Sequence, residues 1–243
     1  MSARHVTREL GALVAARAWL HRLRARLFTA LLRYLTGPIR RDGSATAEDI
    51  QSLAKVLCRG DVLLSAGNTR VSVLVKCLTR SAWSHVSMYV GPLDDGHDPR
   101  CVVEADIEAG VRSIRLSELN ALNVCVLRPT GLDHANRLRL AEWVVGRIGS
   151  EYDHAHAWLL GRRLLRLPTR RVPHAASNTV AGTATRFICC SLLTHAFAFV
   201  GLAIAPVQAS PGSTAGADLG NVTPGDFERA AVFEVIGPAA ESA

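Results

Sequence analysis

Hydrophobic and polar positions change their period along the chain, and each change marks an element. Between residues 10 and 35, Leu13, Ala16, Leu20, Leu23, Leu27, Leu31 and Tyr34 recur at three- and four-residue steps, which predicts an amphipathic helix. Arg22, Arg26 and Arg33 fall on its opposite side, and Gly37-Pro38 ends it. Thr46 to Asp49 has the form of a capping box and predicts a short helix through about Leu57. After the Arg59-Gly60-Asp61 turn, Val62 to Ser65 is a short apolar strand, and Thr69 to Leu78 is helical in pattern. Trp83 to Val90 then alternates strictly, with His85, Ser87 and Tyr89 on one face and Val86, Met88 and Val90 on the other.

The polar stretch from Leu93 to Arg100 is turn-forming, so Cys101 to Ala105 should return as the second strand of a hairpin. Two more strands are predicted at Val111 to Leu116 and Val124 to Leu127, helices at residues 132–149 and 151–166, and a last strand at Ala231 to Ile236. Residues 168–185 read as a polar, small-residue loop, either a flap or a plain connection. The whole predicts an α+β fold with a short antiparallel meander in its middle.

Charge separates an arm from a body. Residues 1–41 hold nine arginines against one acid, Glu9, while the remaining 202 residues carry 19 basic and 20 acidic side chains. The net charge of +7 therefore belongs to the arm, and the body is neutral. This organisation is read as an arm over residues 1–45 and a domain over residues 46–243. A neutral body without interleaved aromatic and basic residues argues against nucleic acid as a partner. The arm could lie on an anionic membrane surface with Trp19 and Phe28 near the headgroups, or pack on its own domain.

Arginines interrupt the arm, so no apolar core of a secretory signal is present, although an arginine-rich start also resembles an organellar transit peptide. The expected location is cytoplasmic, with peripheral membrane contact through residues 1–41 as the alternative. Phe187 to Ala217 contains no Lys, Arg, Asp or Glu, a length that could span a bilayer. His195, Gly201 and Pro206 break the run, which favours a buried helix. Six cysteines without a CxxC pair exclude a zinc ribbon or a disulfide scaffold and fit a reducing compartment.

Three residue types then make a chemical hypothesis. Cys189 follows the extended Phe187-Ile188 and opens a helical pattern with Leu192 and Leu193. A thiol there feels the positive end of the helix and its unpaired N–H groups, which draw it toward thiolate and could also donate to an oxyanion. His85 begins a strand and could exchange the thiol proton, and Glu104 on the partner strand could orient the imidazole. The group His134, Asp153, His154 and His156 could be mistaken for a metal site, but residues i and i+2 of a helix face apart.

The motifs around these residues carry a resemblance. GDVLLSAGNTRVSVLVKCLTRSAWSHVSMYVG, then VVEAD with GVRSIRLSEL, then GSEYD, then RFICCSLLTHAF and TPGDF, in that order over about residues 57–236, resemble the circularly permuted branch of the NlpC-type papain-like hydrolases. Such proteins are also grouped as lipo-like or permuted papain-like amidase proteins. The resemblance implies a papain-like α+β fold with its halves exchanged, a small antiparallel sheet packed against helices that include the nucleophile helix. It implies a cysteine hydrolase acting on an amide or ester by an acyl-enzyme route, without a metal or organic cofactor.

By the same resemblance His85 is the base, Glu104 the orienting carboxylate, and Tyr152 a tyrosine lining the site. The nucleophile position departs from the family's Cys-Ser pattern, because Cys189-Cys190-Ser191 offers two thiols. Cys190-Ser191 reproduces the dipeptide, whereas Cys189 preserves the spacing to Leu192, Leu193 and Ala196-Phe197; periodicity favours Cys189. The expected substrate is a small-molecule, peptide or lipid acyl group. The rival readings are an acyltransferase on lipid substrates and a non-catalytic lipid-binding module.

Overall fold

Strand residues alternate between two apolar clusters, one on each face of a sheet, and this period of two builds the body. The computed structural model describes residues 47–120, 122–165, 186–204 and 222–236, with scattered positions between 19 and 39 of the arm. The strands of the main sheet are β1 (Val62–Ala66), β2 (His85–Tyr89), β3 (Arg100–Asp106), β4 (Gly110–Arg115), β5 (Asn123–Pro129) and, last in the chain, a short strand Phe233–Val235. They are ordered β4-β3-β2-β1-β5 with the last strand beside β5, every neighbouring pair antiparallel. Val62, Leu64, Val86, Met88, Val103, Cys125 and Leu127 face one cluster, and Leu63, Val102, Val124 and Val126 face the other.

The helices of the body are α1 (Ala47–Val56), α2 (Arg70–Thr79), α3 (His134–Val145), α4 (His154–Leu164), α5 (Cys189–Phe199) and α6 (Pro224–Arg229), with a 3-10 turn at Leu116–Leu119. Leu192, Leu193, Ala196 and Phe197 of α5 are fully buried in the first cluster, beside Leu140 and Val144 of α3 and Phe227 of α6. Ile50 and Leu53 of α1 close the second cluster with Leu116 and Leu119. Of the uncharged run from Phe187 to Ala217, Cys189–Phe199 is a core helix of 11 residues, and residues 205–217 lie outside the described residues. No helix among the described residues is long and apolar enough to cross a membrane.

Two predicted helices start later than their apolar pattern, for one physical reason. Asp133 accepts the N–H of Asn136 at 2.8 Å, and Asp153 accepts that of His156 at 2.9 Å, so each aspartate caps a helix and holds the residues before it extended. Glu151 and Tyr152, expected within a helix, instead form a two-residue strand β6 parallel to β7 (Arg186–Phe187), pairing Tyr152 with Phe187. The main-sheet strand at Phe233–Val235 is accordingly β8. Neither the 3-10 turn nor α6 was predicted, because four and six residues are too few to show a period. The expected loop at 168–185 lies outside the described residues.

By contacts the chain divides into two units, residues 1–40 with Thr69–Val71, and the remainder. In the smaller unit the described residues from Trp19 to Thr36 are helical, and Trp19, Leu31 and Tyr34 are exposed. The Arg70 guanidinium lies 4.3 Å above the Tyr34 ring. All six cysteines are free thiols.

An ion-pair knot fastens the start of β1 in the larger unit. Asp61 is fully buried and accepts both Nε and Nη2 of Arg128, at 3.0 and 2.7 Å, Nη1 of Arg137 at 3.4 Å and the Cys58 N–H at 2.8 Å. Removing one partner of such a cluster strands the others without compensation. Asp61→Ala should therefore lower unfolding stability by about 3–5 kcal/mol, read as a shift in urea midpoint at unchanged slope. An unshifted midpoint would show that the knot is dispensable.

Candidate active site

His85 and Cys189 are each the first residue of their element, and the sheet opens where they meet. The N–H of Tyr89 is bonded to the Asp61 carbonyl across β1, so alternation turns the N–H groups of Met88 and Val86 toward β3. The ladder to β3 pairs Met88 with Val103 and Tyr89 with Val102 and goes no further, whereas the ladder to β1 continues to His85. At Val86 the two strands have parted, and its N–H bonds to the Cys189 sulfur.

The start of α5 is fixed from within. The Ser191 hydroxyl accepts the Ile188 N–H at 3.0 Å and donates to the Ile188 carbonyl at 3.1 Å, locking the residue before Cys189 in an extended conformation. Ser191 is buried and occupied by this capping role, and Cys189 takes the first helical position. Its sulfur therefore sits in the first turn, where N–H groups lack intrahelical acceptors and the dipole favours negative charge.

Three of the four residues singled out form a hydrogen-bonded chain. The Glu104 carboxylate lies 2.9 Å through Oε2 from His85 Nε2, and His85 bonds in turn to the Cys189 thiol. Burial alone would raise the Glu104 pKa, but the bond and charge of His85, then Arg112, hold it down at about 2. An ionised carboxylate only accepts, so Nε2 carries the proton and Nδ1 is left for the sulfur. Burial would likewise lower the His85 pKa, and the bonds to Cys189 and Glu104 outweigh it, raising it well above the usual imidazole value.

The two thiols of the doublet lie in different environments. Cys189 is half-buried, and its pKa is drawn well below that of an ordinary thiol by the Cys190 S–H, the bond and charge of His85 and the Val86 N–H, against the opposing cost of burial. Cys190 is buried, and its pKa is pushed well up by burial first, then by its bond to Cys189 and by the charges of Cys189 and Asp226. The sulfurs are 3.8 Å apart. His85 thus bonds to Cys189, and Cys190 serves as a donor to it.

Tyr152 reaches the same locality from β6. Its phenol is kept protonated by burial and by the nearby sulfurs of Cys189 and Cys190, so it can donate a hydrogen bond there. A close backbone approach fixes its strand: the Ser150 carbonyl accepts the Val111 N–H at 2.8 Å, and the Val111 carbonyl accepts the Gly149 N–H at 2.8 Å. Gly110 is in the left-handed region at φ 73°, and any Cβ there would collide with the Ser150 carbonyl oxygen, so this junction requires glycine.

Sequence reasoning missed Arg112. It stands opposite Glu104 on β4 and gives Nε and Nη2 to Oε1, at 3.0 and 2.8 Å, leaving Oε2 to His85. The GVRSIR alternation could have placed it on the face of Glu104, but the pairing register is invisible from one strand. Asp226 was also unassigned; it accepts the N–H and hydroxyl of Thr223 and its charge bears on Cys190. Among the described residues no group of three or more His, Cys, Asp or Glu could hold a metal ion, and His134, Asp153, His154 and His156 form none.

Such an arrangement can hold a thiolate beside an imidazolium with a fixed tautomer, next to hydrogen-bond donors. Glu104→Gln keeps the volume and removes the counter-charge. Its expected effect is a loss of about 10²–10⁴ in kcat. The alkaline limb of the pH profile should also move to lower pH, because the imidazolium is less well held. A profile unchanged in position would show that Glu104 does not act through His85.

Residues 56–161 match the family described as "permuted papain-like amidase enzyme, YaeF/YiiX, C92 family". That stretch contains His85, Glu104, Arg112 and Tyr152 and stops short of the cysteine doublet. No curated protein matches the sequence. Among solved structures, the metalloprotein yiiX from Escherichia coli O157:H7 is similar at 16% identity, with a TM-score of 0.51, over 74% of this chain and 97% of its own. At that identity the likeness concerns the fold. The family match from β1 into α4 and the fold shared along nearly all of that relative show that residues 56–161 are similar to the permuted papain-like proteins of the YaeF/YiiX family and that the chain has a fold of that kind.

Proposed function

We propose that the chain is a cysteine hydrolase that cleaves an amide or ester bond through an acyl-enzyme on Cys189. The observation that carries this reading is the imidazole of His85 bonded at once to a buried carboxylate and to a thiol at the head of a helix. The Cys189 thiolate attacks the carbonyl carbon, and the oxyanion is met by the Tyr152 hydroxyl and a first-turn N–H of α5. The His85 imidazolium gives its proton to the departing amine or alkoxide, leaving a thioester. His85 then takes a proton from water, the hydroxide attacks the thioester, and Cys189 leaves as thiolate beside a reprotonated imidazole.

The test is intact-mass and peptide analysis after rapid mixing with activated acyl esters and amides. A burst of leaving group with one acyl group on Cys189, discharged by hydroxylamine, is the expected result. Release without any adduct on Cys189, or no release across the panel, would overturn the reading.

The exposed Trp19, Leu31 and Tyr34 favour one further reading, in which the arm brings the enzyme to a membrane-borne acyl donor and the acceptor is another nucleophile rather than water. Product analysis with a primary alcohol or amine present separates transfer from hydrolysis. Flotation with anionic vesicles should occur and be lost on deleting residues 1–41. Flotation without any Cys189 chemistry would instead indicate a lipid-binding module.

A further inference from the structure

The side chains of consecutive helical residues diverge by about 100°, so neighbouring thiols do not meet by default. Here Cys189 and Cys190 turn toward each other until their sulfurs are 3.8 Å apart. The outer of the two is half-exposed at the site and the inner is buried beneath it, so a small oxidant meets Cys189 first. We propose that Cys190 is a resolving thiol: when a hydroperoxide oxidises Cys189, Cys190 captures the product as a reversible Cys189–Cys190 disulfide and spares the nucleophile from irreversible oxidation. The proposal rests on Cys189 being the reactive thiol of the function proposed above, and adds to it a modification that hydrolysis does not require.

The chemistry balances in two steps. The Cys189 thiolate attacks the peroxide O–O bond, forming an S–O bond and releasing water or an alcohol after proton transfer, so that sulfur is oxidised and the peroxide reduced. Cys190 then attacks the sulfenic sulfur, the S–S bond forms, the S–O bond breaks, and water leaves with the Cys190 proton. The first step also removes the negative charge of Cys189, one of the causes that keep Cys190 protonated, so the inner thiol becomes more acidic when it is needed.

The backbone permits the link. The N–H between the two residues lies in the first turn of α5, where no intrahelical carbonyl holds it, so that peptide can twist without losing an intrahelical bond of its own N–H. A disulfide between adjacent residues is strained, and strained disulfides are the readily reduced ones. The product is therefore a reversible cap on the active-site sulfur.

The experiment treats the full chain with hydrogen peroxide, alkylates free thiols, and analyses the tryptic peptide from Phe187 to Arg229, which has no internal Lys or Arg. Dimedone is included in a parallel arm to trap sulfenic acid. In the wild type the peptide should become lighter by two hydrogens, give no dimedone adduct at completion, and recover its Cys189 labelling with dithiothreitol. In Cys190→Ser the sulfenic acid should persist for dimedone, and doubly oxygenated Cys189 should accumulate at least about tenfold faster.

Doubly oxygenated Cys189 forming as fast in the wild type as in the variant would overturn the proposal, as would Cys189 linked to another cysteine or a thiol that peroxide leaves unchanged. The wild-type mass shift decides the matter even if Cys190→Ser does not fold. An unoxidised Cys189 control reports on the hydrolase reading separately: brisk iodoacetamide labelling of that control together with no link to Cys190 defeats this proposal alone.

Discussion

Cys189→Ala is expected to abolish turnover, by at least about 10⁴-fold in kcat, whereas Cys190→Ala should lose only about tenfold. The inequality follows from the partners of the two sulfurs. Cys189 bonds to His85 and the Val86 N–H at the head of α5, and without it no atom remains to form the thioester. Cys190 contributes one S–H donor to that sulfur from a buried position, so its loss weakens the thiolate without removing it. Steady-state rates on whichever activated acyl substrate gives the Cys189 adduct would measure both. A larger loss in Cys190→Ala than in Cys189→Ala would exchange the roles of the two thiols.

His85→Ala should cost about 10³–10⁵ in kcat and, separately, remove the unusual acidity of Cys189. The imidazole is both the bonded partner of the sulfur and the nearby positive charge, so its loss leaves burial, which favours the neutral thiol, opposed by weaker donors. An ordinary thiol with a pKa near 8.5 is only about 0.1% thiolate at pH 5.5. Alkylation of Cys189 at that pH should therefore fall by at least about tenfold in the variant, after allowing for the lower intrinsic nucleophilicity of an acidic thiol. Loss of turnover with unchanged labelling at pH 5.5 would confine His85 to proton transfer in later steps.

Strand alternation and helix period were enough to place most elements, because Trp83 to Val90 and Cys189 to Phe199 carry their burial pattern in consecutive residues. The apolar rod ending in a thiol was legible for the same reason. What failed had local causes: Asp153 acts as a cap and moves Tyr152 out of a helix into β6, and α6 is too short to show a period. Arg112 was hidden because its importance depends on which residue of β3 it faces, and a one-residue change of register would send it to the other side of the sheet.

The two cysteines could be distinguished only by spacing in the sequence. Their environments differ through long-range neighbours: Val86, His85 and Glu104 on one side, and Asp226, 36 positions further along, on the other. The order in which base, carboxylate and thiol occur gives no hint of the gap between β2 and β3 through which they meet. That gap exists because the β2–β3 ladder ends at Met88.

The thiolate–imidazolium pair has a direct readout in the rate of iodoacetamide alkylation at Cys189 as a function of pH, followed site by site by peptide mass. The depressed Cys189 pKa and the raised His85 pKa place the ion pair between them, present above the first and lost as pH rises through the second. Labelling of Cys189 should already be fast at mildly acidic pH and outpace that of the exposed Cys58 and Cys77 of the same chain. A Cys189 profile that rises only together with those two cysteines would contradict the account.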